Sequence, residues 1–298
     1  MGYLFLVLAT LSGAVKGFCG KKVSGFVKKT PDAMLANLIR MTICIAIGFA
    51  LVLIPEGIGG FNVGVGGVLI SALSGISSAA FVVIWLFCVQ RGAYMLVDVF
   101  LTVGLLVPIS LCAIFFGESI EWNHYVGFAV LIVAVYIMCS YNNTVKAKMG
   151  IKTFLLLLLC GISQGFTSFS QKYFVRRTGG SGVSAFNFYT YVFAAVTLGV
   201  CYLVFSRKNR ALGVKSDFKL KPIWYFIVIM AVMLFLNSYL MTLAAVRLDA
   251  VLLYPLNTGL ALVISTAMSR IFFGEKLNIK CFVGIALAFC AMIFINVL

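Results

Sequence analysis

The chain has 298 residues, of which 63% are hydrophobic and only 10% are charged, and its formal net charge is +15. Because a soluble domain carries roughly 25% charged residues, this composition excludes a soluble globular protein and predicts a membrane protein. The apolar runs are too long and alternate too little for barrel strands, so the chain is predicted to be all-α. The excess of Lys and Arg is typical of cytoplasmic loops and does not indicate a nucleic-acid-binding surface.

Ten apolar stretches follow one another along the chain, and each is close to the 20 or so residues that a helix needs to cross a bilayer. They cover residues 2–20, 33–54, 65–89, 93–116, 122–140, 152–172, 182–205, 223–246, 249–273 and 279–297. The connecting loops are short, except for the basic segment 206–222. The sequence therefore predicts ten transmembrane helices.

A pentapeptide occurs twice, at the end of the fourth and of the ninth predicted span. Ile114–Glu118 and Ile271–Glu275 both have the sequence Ile-Phe-Phe-Gly-Glu, and each Glu is followed nine residues later by a Gly, Gly127 or Gly284. This duplication predicts that the chain consists of two related halves.

The first and sixth spans carry equivalent glycine pairs, Gly13 with Gly17 and Gly161 with Gly165, which let helix backbones approach closely. The predicted halves are residues 1–140 and 152–298, joined by the loop 141–151. Because each half has five spans, the second half must begin on the opposite side of the membrane. The predicted architecture is two inverted five-helix repeats.

The repeated Phe-Phe-Gly-Glu, with its downstream Gly, resembles the drug/metabolite transporter superfamily, and within it the ten-span EamA-like transporters. Arg40 in the second span and the Tyr254-Pro255-Leu256 segment in the ninth also match positions of that family. The resemblance implies a transporter of small metabolites or drugs. The small four-span relatives use a Glu in the first span, where this chain has no acidic residue and carries Lys16.

The loops after odd-numbered spans hold most of the 23 Lys and Arg residues. The positive-inside rule therefore places those loops in the cytoplasm and both termini outside. The family resemblance implies the opposite orientation, with cytoplasmic termini.

Charged residues within spans are costly in lipid and are therefore candidate functional residues. Lys16, Arg40 and Asp98 all lie near the side predicted to be cytoplasmic. The charges of Lys16 and Asp98 could reach the membrane interface along the side chains, or the ends of their spans could be misjudged. Alternatively, Asp98 could form a structural ion pair with Lys16 or Arg40, or these charges could bind substrate or a coupling ion. Arg40 and Asp98 are the candidates for gating or coupling.

Polar and aromatic residues inside the spans are candidates for a substrate cavity, although hydrogen bonds between helices also explain many such residues. With Lys16, the predicted cavity residues are Trp85, Gln164, Asn187, Tyr189, Asn237, Tyr239, Tyr254 and Asn257. The motif residues Gly117, Glu118, Gly274 and Glu275 are predicted to be structural. The Gly would end one helix, and the Glu would complement the positive N-terminus of the next helix.

The leading functional prediction is a secondary active transporter, an exporter or exchanger of a small organic solute in a bacterial plasma membrane. It would work as a monomer or homodimer by alternating access, without a cofactor or bound metal and without nucleic acid. The sequence has no Walker motif for ATP, and its single His and eight acidic residues argue against a membrane enzyme. A lipid-carrier flippase or a non-transporting partner subunit of the same fold is the alternative.

Overall fold

A computed structural model describes residues 1–27, 30–91, 100–101, 104–140, 151–211, 222–273 and 279–297. Within these ranges the chain is helical and contains no β-strand. A short 3-10 helix, Ile58–Phe61, follows the second α-helix. The α-helices are α1 (Gly2–Ser24), α2 (Thr30–Glu56), α3 (Gly64–Arg91), α4 (Leu106–Phe116), α5 (Trp122–Ser140), α6 (Ile151–Thr178), α7 (Val183–Ala211), α8 (Trp224–Arg247), α9 (Ala250–Phe273) and α10 (Ile279–Val297).

Six of these helices are long and apolar enough to cross a membrane, judged by length and composition within the described residues: α1, α2, α3, α6, α7 and α8. The remaining α-helices contain shorter apolar stretches. Many large apolar side chains point outward, for example Val65, Leu69 and Ile114, which are 66–78% exposed. An apolar surface of this extent is suited to lipid and not to water.

The fourth predicted span, residues 93–116, is interrupted. Residues 100 and 101 are helical, Gly104 and Leu105 form a turn, and α4 begins at Leu106. Residues 92–99, which include Asp98, and residues 102–103 lie outside the described residues. At its other end α4 stops at Gly117, whose left-handed backbone (φ 65°, ψ 25°) is accessible to Gly at little cost.

Helices of the first half pack against helices of the second half. In the pair α1 and α8, Gly2 at the start of α1 lies against Leu248 just after α8, whereas Gly20 lies near Met230 early in α8. The two helices are therefore antiparallel. The pairs α3 with α6, α2 with α7, and α5 with α10 also form extensive contacts.

The pair α2 and α7 is antiparallel as well. Near the start of α7, the hydroxyl of Tyr189 donates a hydrogen bond of 3.0 Å to the carbonyl oxygen of Phe61, just beyond the end of α2. Because the two helices also form extensive contacts along their length, the start of α7 lies beside the end of α2 and the helices run in opposite directions.

Glycines allow α6 to cross closely against the segment that leads into α4. A Cβ atom on Gly161 would lie 2.8 Å from the carbonyl oxygen of Phe100, and one on Gly165 would overlap the carbonyl oxygen of Gly104. The close backbone approach predicted for the glycine pair of α6 is confirmed. In α1, Gly13 instead faces a side chain, since its Cβ would lie 3.1 Å from Asn237 Nδ2.

Two clusters of buried apolar side chains fill the bundle at different levels. The first contains Leu6 of α1 together with Phe174 and Leu253, and the second contains Val23 at the other end of α1 together with Leu157 and Ile227. Polar residues such as Lys16, Gln164 and Asn237 lie at the level between the two clusters.

Candidate substrate cavity

A cavity of about 120 Å³ lies between the two apolar clusters. It is bounded by α1, α3, α6, α8, α9 and the turn that precedes α4. Its polar lining consists of Thr10, Lys16, Gln164, Ser168, Asn237, Tyr254, Asn257 and Thr258. An adjacent space of about 60 Å³ shares Lys16, Gln164 and both asparagines with it and extends toward Ser78. One water molecule needs roughly 10–15 Å³ on this measure, so the two spaces could hold a small organic solute.

Most of the predicted cavity residues line this space: Lys16, Trp85, Gln164, Asn237, Tyr254 and Asn257. They come from five different helices, so only the tertiary packing brings them together. Trp85 and Phe81 of α3 provide an aromatic side, whereas the amides of α6, α8 and α9 provide hydrogen-bonding groups.

Three predicted cavity residues lie elsewhere. The amide of Asn187 is fully buried, donating to the carbonyl oxygen of Val183 at 2.9 Å and accepting from Ser238 Oγ at 2.8 Å. Tyr189 is the residue that bonds to Phe61 at the end of α2. Tyr239 is stacked on Phe235, with an angle of 17° between the rings. Asn187 and Tyr189 connect neighbouring helices, Tyr239 packs within α8, and none of the three lines the two spaces.

The two asparagines of the cavity also hold α1 in place. Asn237 Nδ2 donates a hydrogen bond of 2.7 Å to the carbonyl oxygen of Ala9. Thr10 Oγ1 lies 2.8 Å from the carbonyl oxygen of Leu6 and 3.0 Å from the side-chain amide of Asn257. Because a side-chain amide can make up to four hydrogen bonds, both asparagines keep hydrogen-bonding capacity for a ligand.

Tyr254 closes the cavity toward the first apolar cluster. Its hydroxyl donates a hydrogen bond of 2.5 Å to the carbonyl oxygen of Ser168, and the side chain is almost completely buried. The bond joins α9 to α6 directly below the cavity amides. Separation of these two helices would therefore expose the cavity on this side.

Arg40 is buried in α2, and its Nε atom has no hydrogen-bond partner within the described residues. It lies near Cys44 and Tyr191, and Tyr191 lines the smaller space. Asp98, the other gating candidate, lies outside the described residues, as do Gly274 and Glu275. A pair between Arg40 and Asp98 therefore stays a prediction.

A cluster of four charged residues, which the sequence did not predict, lies at the end of the bundle where α4, α6 and α8 end. Arg176 contacts Glu118 Oε1 at 3.3 Å and Asp249 Oδ1 at 2.8 Å, and Lys172 Nζ lies 3.6 Å from Asp249 and 4.0 Å from Glu118. Glu118 belongs to the first half of the chain and the other three to the second. The cluster therefore joins the two halves.

The buried members of this cluster also bind helix ends. Lys172 donates to the carbonyl oxygens of Ala245 and Leu248, at 3.1 and 2.6 Å, where α8 ends. Glu118 Oε2 accepts a hydrogen bond of 3.2 Å from the backbone N–H of Ala250, where α9 begins. Each charge has the sign that its helix end favours.

The helix that Glu118 complements differs from the one predicted. The expectation was α5, the next helix along the chain, but the carboxylate binds the N-terminus of α9. The start of α5 is instead satisfied by His124, whose Nδ1 accepts a hydrogen bond of 2.8 Å from the backbone N–H of Glu121. Lys172 and Arg176 of α6 contact the Glu118 carboxylate and keep it beside α9.

Comparisons with known proteins address the family and the fold. Residues 151–297 match the model of the EamA-like transporter family. A solved structure titled "Crystal structure of protein" is similar over 97% of this chain and 96% of its own, with a TM-score of 0.69 and 14% sequence identity. At that identity the similarity shows the fold alone, and it extends over nearly the whole chain. A comparison with curated proteins gives no match.

Proposed function

We propose that this multi-pass membrane protein, which belongs to the EamA-like transporter family through residues 151–297, is a secondary active transporter. It exports or exchanges a small organic metabolite or drug across a bacterial plasma membrane by alternating access. The substrate binds in the cavity between the two apolar clusters.

The observation that carries this proposal is that equivalent positions of the two halves line the cavity. Lys16 and Gln164 are separated by 148 residues, the same spacing as between Gly13 and Gly161. Lys16 and Gln164 both line the cavity. Gly104 and Ala261 have the 157-residue spacing of the repeated pentapeptide, and both line it too. A site at the interface of two repeats is the usual place for the substrate in transporters of this design.

The helix pairs support ten spans in two inverted repeats, with halves at residues 1–140 and 152–298. If each helix of the first half corresponds to the helix five positions later, the pair α1 with α8 corresponds to the pair α6 with α3. Both pairs form extensive contacts. The pairs α2 with α7 and α5 with α10 each join equivalent helices, as a two-fold axis between the repeats requires.

The charged cluster at Glu118 supports alternating access. It joins the halves at one end of the bundle, and its central residues, Lys172 and Glu118, have side chains that are only 3% and 7% exposed. Access to the cavity from this end requires Glu118 to separate from Lys172 and Arg176. The described conformation is therefore closed at this end.

A flux assay on purified protein tests the proposal. The protein is first screened for thermal stabilisation by amino acids, nucleosides, sugars and lipophilic cations, and any stabilising solute is then tested for counterflow in liposomes. Gln164→Leu and Asn257→Leu each remove hydrogen-bonding groups from the cavity. We expect each to weaken solute binding about tenfold, since one hydrogen bond contributes roughly 1–1.5 kcal/mol.

Tyr189→Phe is the matched control, because it removes one hydrogen bond from α7 at a position that does not line the cavity. We expect it to keep the binding and flux of the parent chain. Equal losses in the control and the cavity variants would contradict the assigned site. Failure of every solute to bind or move, with lipid translocation in the same liposomes, would favour the flippase alternative.

A further inference from the structure

A groove opens on the outer surface of the bundle between the first turns of α3 and the last turns of α6. Its volume is about 570 Å³, and it is separate from the cavity between the repeats. Its walls include Gly66, Leu69 and Leu73 of α3 and Tyr173, Phe174 and Arg177 of α6. No heavy atom lies within 4 Å of the position that a Cβ on Gly66 would occupy, so the groove is open at this glycine.

The position and polarity of the groove match the hydrocarbon layer. Both α3 and α6 are long and apolar enough to cross a membrane, and Leu69 on the groove wall is 66% exposed. An apolar groove of this kind offers water few hydrogen-bond partners, so water is not a favourable occupant. A hydrocarbon chain is therefore the occupant that suits the walls.

The length of the groove matches one leaflet of a bilayer. Its wall on the α3 side runs from Val63 to Leu73, which is about 15 Å at the helical rise of roughly 1.5 Å per residue. The hydrocarbon core of a bilayer is roughly 30 Å thick. The groove therefore extends from one membrane surface to about the midplane.

A cation lies at the end of the groove that faces the membrane surface. Arg177 is the second-last residue of α6 and is exposed, and its guanidinium lies 5.5 Å from the centre of the Tyr173 ring. Arginine binds phosphate oxygens through two parallel hydrogen bonds. Basic sites beside transmembrane helices bind anionic lipid headgroups in this way.

We infer that this groove binds a phospholipid with an anionic headgroup. One acyl chain lies along α3 between Gly66 and Leu73, and the phosphate binds Arg177. The site depends only on α3 and α6 facing lipid, so it does not require the transport activity proposed for the central cavity.

Native mass spectrometry of the full chain, purified in detergent, tests this inference. Phosphatidylglycerol and phosphatidylcholine with identical acyl chains are added in competition. We expect the parent chain to retain phosphatidylglycerol preferentially, and Arg177→Gln to lower that preference about tenfold, as expected when one charge-assisted contact is lost. Gly66→Leu, which fills the groove, should lower the retention of both lipids.

Two control variants match these changes. Arg247→Gln removes an exposed cation at the end of α8, and Gly199→Leu adds the same side chain on α7, where no heavy atom lies within 4 Å of the added Cβ. Both should bind lipid as the parent chain does. An Arg177→Gln protein that keeps the full preference, or an equal loss in Arg247→Gln, would overturn the assignment of the phosphate to Arg177.

The same spectra report oligomeric state. If Gly66→Leu dissociates a dimer and leaves lipid retention unchanged, the groove is an interface between two copies and the lipid site is wrong. Flux through the central cavity is measured separately, so a failed transport assay with intact lipid selectivity contradicts only the proposed function.

Discussion

The buried carboxylate of Glu118 makes one backbone hydrogen bond and two ionic contacts. It accepts from the backbone N–H of Ala250, contacts Arg176 at 3.3 Å and lies 4.0 Å from Lys172. The exposed pair between Arg176 and Asp249 contributes little, since exposed ion pairs are worth about 0–1 kcal/mol. Within this cluster, the larger cost therefore comes from removing a partner of the buried Glu118 or Lys172, since that leaves a buried charge without compensation.

Two substitutions of Glu118 separate its charge from its role at the start of α9. We expect Glu118→Ala to lower the free energy of unfolding by about 2–3 kcal/mol, because it removes a charge-assisted hydrogen bond and leaves Lys172 less compensated. Glu118→Gln keeps an oxygen for the Ala250 N–H, so its loss should be about 1 kcal/mol. Thermal unfolding of the purified variants measures both, and equal losses would show that the bond to α9 contributes nothing.

The cavity residues were predictable only in part from the sequence. Asn237 and Asn257 were predicted because an amide deep in a span needs a partner, and the structure places both in the cavity lining. Asn187 gave the same signal but bonds to Val183 and Ser238. A transmembrane helix is apolar all round, so its sequence does not tell which face meets the cavity. The contact between Lys172 and Glu118 was not predictable from the sequence, because the two residues lie 54 positions apart, in different halves of the chain.

The close crossing of α6 with the segment before α4 is a property of elements and gives a second stability test. A methyl group on Gly165 would overlap the backbone of Gly104. We therefore expect Gly165→Ala to destabilise the protein by about 1–3 kcal/mol through overpacking. Thermal unfolding in detergent measures this loss.

Gly199→Ala provides the control within the same fold. No heavy atom lies within 4 Å of its added Cβ, and Ala is favoured over Gly in a helix by about 0.5–1 kcal/mol. This variant should be as stable as the parent chain or slightly more stable. If Gly165→Ala were equally well tolerated, the backbone crossing would be looser than described.

Element boundaries were predictable where loops carry charge and less so within apolar runs. The limits of α8 and α9 lie within one residue of the predicted ones. The first helix continues four residues beyond its predicted end and includes Lys21 and Lys22 in its last turn. The turn at Gly104 and Leu105 was not predicted, because residues 100–116 contain no charged residue and are mostly apolar. Gly in a transmembrane segment is common, so a single Gly did not indicate a break.

At the scale of the whole molecule, the proposed inverted repeat rests on the odd number of spans predicted for each half, and the antiparallel pair α2 and α7 is consistent with it. Tyr189, near the start of α7, bonds to Phe61 after the end of α2. From Tyr189 to Arg207 the helix rises about 27 Å, close to the roughly 30 Å of hydrocarbon in a bilayer. Exposed residues near Phe61 and at Arg207 should therefore lie on opposite sides of the membrane.

Thiol labelling at these two ends decides the orientation. Gly59 is exposed in the 3-10 helix beside Phe61, no heavy atom lies within 4 Å of its added Cβ, and Arg207 is exposed on α7. In intact cells we expect a membrane-impermeant maleimide to label Gly59→Cys, and to label Arg207→Cys only after permeabilisation, because the basic loop that follows Arg207 favours the cytoplasm. The parent chain, with its nine native cysteines, gives the background. The reverse pattern would overturn the charge-based orientation but preserve the inverted repeat, whereas labelling of both positions from one side would contradict a membrane-spanning α7.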